Sequence, residues 1–358
     1  MNTEFPIDFI YPDSEYARKF ELDYRTNSGR KLVYGQNIYS NSIIKNYAVD
    51  AIVDDYSNQN GDIPVIRTNE IKPEDMVIVC SGGKVLTAIR QVQNTKAQWI
   101  DYFHFLEYSE LNLAKIRFNY GFREAFQENE SKFKTVFNKL EDDESKMIFR
   151  KLVSFRNTNN VNYLEGFEDK QRSMYFEDFL KFNDNEEVFY DIGAFDGENS
   201  DHFAIKCPNY SEINMFEPDE NNMQKLRIKY KSKRAVNLHG YGLSNVRFKS
   251  GFASAGPNSR IDEGSASKAD FLALDDLEQN ISPPTFMKMD IEGGEKTALQ
   301  GSSNTIAKNS PKLAISVYHE INDFWEIPTM ILSFNPNYKI RFRHYTESIY
   351  ETVAFFSL

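Results

Sequence analysis

The sequence predicts an α/β protein with two parallel-sheet domains joined by helices. Over residues 30–107, short apolar runs alternate with stretches of helical spacing. The same alternation resumes at Glu186 and continues toward the C-terminus. Between them, residues 108–182 show helical spacing with few glycines or prolines. Parallel strands need crossover connections, so strands that alternate with helices imply parallel sheets.

Taken in order, residues 1–29 read as an N-terminal arm and 30–107 as a small Rossmann-like domain. KLVYG (31–35), DAIVDD (50–55), IPVI (63–66), MVIVC (76–80) and AQWIDYF (97–103) are its strands, and NIYSNSIIKNY (37–47) is helical. Its Tyr34-Gly35-Gln36-Asn37 turn has one glycine, too few for a pyrophosphate loop. Ser81-Gly82-Gly83-Lys84 reads as a plain turn with a surface lysine, an anion site being the alternative. Residues 108–182 form a helical connector, in which Phe118, Phe122, Phe126, Phe133 and Phe137 recur at amphipathic spacing. Residues 183–358 form the larger α/β domain, whose last two strand-like runs, YKIRFRHYT and YETVAFFSL, suit an antiparallel hairpin.

Composition narrows the function. A net charge of −11 over 358 residues disfavours a nucleic-acid partner, because binding phosphates needs a basic surface. No run approaches the roughly 18–20 apolar residues of a membrane-spanning helix. The N-terminus lacks the basic and apolar regions of a secretory signal. Cys80 and Cys207 lie far apart and supply neither a disulfide framework nor a cysteine zinc site. The expectation is a reduced, cytoplasmic protein.

The chemistry lies in the larger domain. Tyr190-Asp191-Ile192-Gly193-Ala194-Phe195-Asp196-Gly197 follows an apolar strand, and its glycines allow a sharp turn and close ligand approach. Phe195 replaces the middle glycine of a dinucleotide loop, and Asp191, Asp196 and Glu198 would repel a diphosphate. Those carboxylates suit a ligand with sulfonium and ammonium groups, such as S-adenosyl-L-methionine. Glu217, at the end of the next strand, is placed to accept hydrogen bonds from ribose hydroxyls. Asp290 and Glu292 leave another strand end toward the same crevice, and His319 follows a further one, where a histidine suits general-base work. Asp290 and Glu292 also offer oxygens to a divalent cation, but no third ligand is identifiable, so no metal residues are assigned.

DIGAFDGENS, FEPDENN, ALDDL, MKMDIEGGEKTALQG, LAISVYHE and RHYTESIYET together resemble the FkbM family of methyltransferases, over about residues 172–358. The resemblance implies a class I methyltransferase fold, a seven-stranded sheet closed by an antiparallel C-terminal hairpin. It further implies O-methylation of hydroxyls on sugars, glycans or related metabolites. By match, Asp191, Gly193 and Gly197 belong to the cofactor loop and Glu217 to the ribose site, with Phe195 an aromatic this family accepts. The acceptor is thus expected to be a small molecule or glycan. The N-terminal domain is left to dock a sugar nucleotide, mediate homo-oligomerisation or support the fold. The competing readings are a nicotinamide-dependent sugar oxidoreductase, which the missing G-x-G-x-x-G argues against, and a non-catalytic nucleotide-binding protein.

Overall fold

The computed structural model describes the chain except residues 1–4, 6–8, 58–60, 254–259, 263, 266 and 278–280. It divides into two compact units, one of residues 1–130, 146–171 and 344–351, the other of 131–145, 172–343 and 352–358. Residues 108–182 are therefore shared between the units.

The first unit contains α1 (Ser14–Thr26), β1 (Lys31–Tyr34), α2 (Ile38–Asn46), β2 (Ala51–Val53), β3 (Val65–Ile66), β4 (Met76–Val79), α3 (Val85–Asn94), β5 (Gln98–Asp101) and α4 (Tyr102–Tyr108). Its five strands are all parallel, in the order β3-β2-β1-β4-β5. β2 and β4 are buried at every position, which is why they appear as unbroken apolar runs rather than alternating ones. Asn37 opens α2 with a capping box, its side chain accepting from the Tyr39 and Ser40 backbone while the Ser40 hydroxyl accepts from Asn37 N–H. Residues 14–26, read from sequence as part of an arm, form a helix that Asp13 caps and that buries Phe20 and Tyr24.

The Ser81–Lys84 turn carries its lysine on the surface, paired with Asp169 at 3.1 Å. The start of α3 behind it is taken by the protein's own carboxylate. Glu347 accepts from the Thr87 N–H and from the Thr87 hydroxyl, both at 2.8 Å, and Ser348 donates to the Gly82 carbonyl. This cap from afar satisfies an N–H that the helix cannot satisfy itself.

Two helices cross the division of the chain: α5 (Phe122–Lys139), which is interrupted at Asn129, and α6 (Asp143–Thr158). Phe122, Phe126, Phe133 and Phe137 are buried as the spacing predicts, whereas Phe118 lies before α5 in left-handed backbone.

The second unit continues with β6 (Val188–Ile192), α7 (Glu198–Lys206), β7 (Glu212–Phe216), α8 (Glu220–Tyr230), β8 (Val236–His239), β9 (Gly242–Leu243), β10 (Phe248–Ala253), β11 (Arg260–Ile261) and β12 (Lys268–Leu272). It ends with β13 (Phe286–Met289), α9 (Glu295–Gln300), α10 (Ser303–Asn309), β14 (Lys312–Ser316), α11 (Asp323–Phe334), β15 (Lys339–His344) and β16 (Thr352–Ser357). Its main sheet has seven strands in the order β15-β16-β14-β13-β6-β7-β8, with β16 antiparallel to β14. A second sheet, β11-β10-β12-β9, has four strands. Asp275 of the ALDDL stretch caps α10 by accepting from Asn304 and Thr305 N–H. Among the described residues, no helix is long and apolar enough to cross a membrane.

Glu347→Ala is expected to destabilise the first unit by about 1–2 kcal/mol, the usual value of a helix cap. Urea unfolding followed at α3 should show a lower midpoint, and an unchanged midpoint would show that the cap contributes nothing.

Candidate active site

The register of the seven-stranded sheet brings one set of strand ends to one edge. Ile192 of β6 pairs with Phe216 of β7 and Met289 of β13, and Met289 pairs with Ile315 of β14. The chain runs outward from β6 through β7 to β8 and returns to β13 on the other side of β6. A crevice at such a switch point, outside the carboxyl ends of the strands, is where open α/β sheets bind ligands. Gly193, Glu217, Asp290 and His319 all follow strands that end at this edge.

The turn after β6 is shaped by crowding. Gly193 has φ +80°, and a Cβ there would lie 2.0 Å from the Asp290 carbonyl oxygen. Gly197 has φ +79°, and its Cβ would lie 2.7 Å from the Tyr230 hydroxyl. Between them Phe195 takes φ +50° without being glycine, and its N–H donates to Glu217 Oε2 at 2.8 Å. Glu217 Oε1 accepts from Asp219 N–H, also at 2.8 Å, so the carboxylate is fixed by backbone on both oxygens. Burial pushes the Glu217 carboxyl up to about 7 despite those two donors.

Asp191 lies under the turn rather than in the crevice, with 0 % exposure. It accepts from the Ser200 hydroxyl at 2.8 Å and pairs with Lys288 Nζ at 3.1 Å. Lys288, 1 % exposed, also donates to the Gly193 carbonyl at 2.7 Å. Its ammonium thus ties the β13 strand to the glycine turn from below.

On the β13 and β14 side, the imidazole of His319 is fully buried among carboxylates. Its Nδ1 lies 2.9 Å from Glu295 Oε1, and its Nε2 lies 3.5 Å from Asp290 Oδ1 and 3.8 Å from Glu292 Oε1. Burial alone would lower its pKa, but Glu295, then Asp290 and Glu292, hold it up to about 10. These carboxylates favour the protonated ring, whose Nδ1 is placed to donate to Glu295. Asp323 beside it is pushed up to about 8 by burial and then by Glu295. Glu295 also accepts from Ile291 and Gly293 N–H at 2.8 and 3.0 Å. Asp290 Oδ2 accepts from the Tyr175 hydroxyl at 2.6 Å. Tyr175 is itself fully buried at φ +76°, a backbone state costly for an aromatic residue and held here by its surroundings.

The sequence-predicted residues thus separate into two sides of one sheet edge. Gly193, Phe195, Gly197 and Glu217 build one side, with Asp191 supporting it from beneath. Asp290 and His319 build the other. Sequence reasoning missed Tyr175 and Lys288, and it assigned no site role to Glu295. Lys288 stood inside a quoted motif, but Tyr175 lies 115 residues from Asp290 with no local signal.

This strand order, with an antiparallel strand inserted beside the parallel ones and glycine and acidic residues at the switch point, defines a class I methyltransferase fold. In particular, the chain carries a methyltransferase FkbM domain, the family model matching residues 191–343. No curated protein sequence matches the chain. The crystal structure of methyltransferase FkbM from Methylobacillus flagellatus KT is similar over 97 % of this chain and 94 % of that one, with a TM-score of 0.74 and 23 % identity. That likeness extends the shared fold to both units. Aeropyrum pernix fibrillarin, solved with natively bound S-adenosyl-L-methionine, covers 48 % of this chain and 66 % of its own at 9 % identity and TM-score 0.30. An rRNA methylase from Streptococcus thermophilus covers 50 % and 90 % at 13 % identity and TM-score 0.34. The latter two are too distant to carry an argument.

Lys288→Met should cost about 3–5 kcal/mol, because it leaves the Asp191 carboxylate buried without its counter-charge. Adding Asp191→Asn should recover much of that loss. A double-mutant cycle by urea denaturation checks both, and strictly additive losses would deny the coupling.

Proposed function

We propose that the second unit transfers a methyl group from S-adenosyl-L-methionine to a hydroxyl of a sugar, glycan or related small metabolite. The observation that carries this reading is Glu217. Its carboxylate stands at a strand end beside the glycine turn of a methyltransferase domain, both oxygens already oriented by backbone N–H groups. Each oxygen keeps acceptor capacity for a ribose hydroxyl. The residues also fit the cofactor's charge. Glu217, Asp290 and Glu292 at this edge favour a sulfonium and an ammonium over a diphosphate, while the Lys288 ammonium beneath is engaged by Asp191 and Gly193. The acceptor class rests on the family resemblance of the strand-end motifs.

Bound adenosylmethionine supplies a methyl carbon whose bond to sulfur breaks, the electron pair going to sulfur, as the bond to the acceptor oxygen forms. Collinear alignment of oxygen, carbon and sulfur is the main catalytic demand. Gly193, Phe195 and Gly197 shape the cofactor side, and Asp191 with Lys288 keeps that turn in register. Asp290, whose side chain is 22 % exposed, receives the hydroxyl proton. His319 positions that carboxylate by its proximity, and Tyr175 holds the other carboxylate oxygen.

Titration calorimetry on the full chain should show saturable binding of adenosylmethionine and none of NAD, the reverse result overturning the reading. Glu217→Ala should weaken that binding by about 1.5–3 kcal/mol, the worth of hydrogen bonds to a charged group. Because the Glu217 carboxyl is held up to about 7, it is largely protonated at pH 6 and ionised at pH 8. The ionised form is the stronger acceptor, so affinity should rise from pH 6 to pH 8 and lose that rise in Glu217→Gln. An identical pH profile in the variant would remove Glu217 from the ribose site.

Asp290→Asn should keep cofactor affinity while turnover falls by about 10²–10⁴, the usual contribution of a general base. Mass spectrometry of candidate glycans, scored for the gain of a methyl group, supplies the assay, and near-normal turnover would place the base elsewhere.

A further inference from the structure

We infer that His319 Nε2, Asp290 Oδ1 and Glu292 Oε1 form a binding site for a divalent first-row transition-metal ion of the Mn²⁺ type, on the acceptor side of the crevice. The sequence offered Asp290 and Glu292 as oxygen donors and no third ligand. The fold supplies it from another strand end, as a nitrogen donor.

The first support is spacing. Nε2 stands 3.5 Å from Asp290 Oδ1 and 3.8 Å from Glu292 Oε1. Two donors bound to one ion at about 2.0–2.2 Å each lie roughly 3–4 Å apart, depending on the angle between them. These separations are long for hydrogen bonds and suited to a shared ion. Asp290 and His319 also belong to a group, completed by Glu295 and not by Glu292, whose donor atoms lie within 4.8 Å of one another.

The second support is the arrangement behind the donors. A metal-ligating histidine almost always gives its other ring N–H to a carboxylate or carbonyl, which fixes the ring and the tautomer. Here Nδ1 engages Glu295, whose oxygens are themselves fixed by Ile291 and Gly293 N–H. Ligating carboxylates are likewise hydrogen-bonded in turn. Asp290 offers Oδ1 toward His319 while Tyr175 binds Oδ2. Glu292 is set at φ +57° beside Gly293 at +103°, a turn that carries its carboxylate back toward the histidine.

The third support is charge. Asp290, Glu292 and Glu295 surround one imidazole, so the cluster keeps an excess of negative charge even with that ring protonated. A divalent ion offsets this excess, and coordination through Nε2 replaces the proton held there. The nitrogen donor favours a transition metal over Mg²⁺ or Ca²⁺, which prefer all-oxygen sites. On this side of the crevice the ion would draw in the acceptor oxygen and ease loss of its proton. That use rests on the methyl-transfer reading, whereas ion binding does not.

The test is metal-stripped full-length protein titrated with Mn²⁺, free ion being read by electron paramagnetic resonance, with Co²⁺ read by visible absorption as a second probe. A single ion per chain is expected. Glu292→Gln and Asp290→Asn should each weaken binding by more than about tenfold, and Glu295→Gln by about 10–100-fold, as a lost orienting partner does. Glu292→Gln keeps shape at a position 17 % exposed, so its melting curve should match wild type and exclude misfolding. Wild-type protein that binds neither ion, or variants that bind as wild type does, would overturn the site. Adenosylmethionine titration of the same samples separates that outcome from failure of the methyltransferase reading.

Discussion

Beneath the crevice, Lys288 reaches from β13 to the Gly193 carbonyl and the Asp191 carboxylate, with almost no exposure to solvent. An ammonium and a carboxylate removed from water cost several kcal/mol each unless they meet each other and further hydrogen-bonding groups. Both conditions hold only if β6 and β13 keep their register, Lys288 opposite Asp191. That register in turn brings Gly193 so close to the Asp290 carbonyl that a side chain cannot fit. Once the turn is set, the Phe195 N–H points at Glu217, and Asp290 emerges facing His319. The geometry of the crevice therefore depends on a pair that lies outside it.

Local conformational cost gathers around the same point. Phe195, Tyr175 and Glu292 adopt positive φ without being glycine, and Gly193, Gly197 and Gly293 adopt it beside them. Such states persist where the surroundings over-determine them. Each has an identifiable constraint here. Phe195 is held by Glu217, Tyr175 by burial and by Asp290, and Glu292 by the turn whose N–H groups Glu295 binds. The left-handed residues thus orient donors and carboxylates rather than merely reversing the chain.

Much of this was legible in the sequence because it is local. Strands such as β4 and β13 are buried throughout, so they read as apolar runs, and the glycine turn follows its strand directly. The terminal strands were readable for the same reason, although their insertion of β16 between β14 and β15 is a property of the sheet alone. What escaped was either short or distant. β9 and β11 are two residues each and carry no periodicity, and α1 sits in an acidic, weakly apolar stretch. Tyr175 and Glu347 act on partners 115 and 260 residues away. The surroundings of His319 escaped as well, because the three carboxylates around its ring come together only in the fold.

The two sides of the crevice are built by different means, and this bears on what each can become. On the β6 and β7 side, orientation comes from backbone. Glu217 is fixed by two main-chain N–H groups, and the turn is shaped by glycines. Gly193 admits no side chain there, and the buried Asp191–Lys288 pair holds the turn from beneath, so this half is fixed by backbone and by one ion pair. On the β13 and β14 side, orientation comes from side chains that hold other side chains: Tyr175 on Asp290, and Glu295 on His319. A single exchange there alters distance, charge and reach together. On the methyl-transfer reading proposed above, the first side would serve the cofactor and the second the acceptor. The acidic cluster around His319 lies wholly in the second half, which is where chemistry particular to this chain is to be sought.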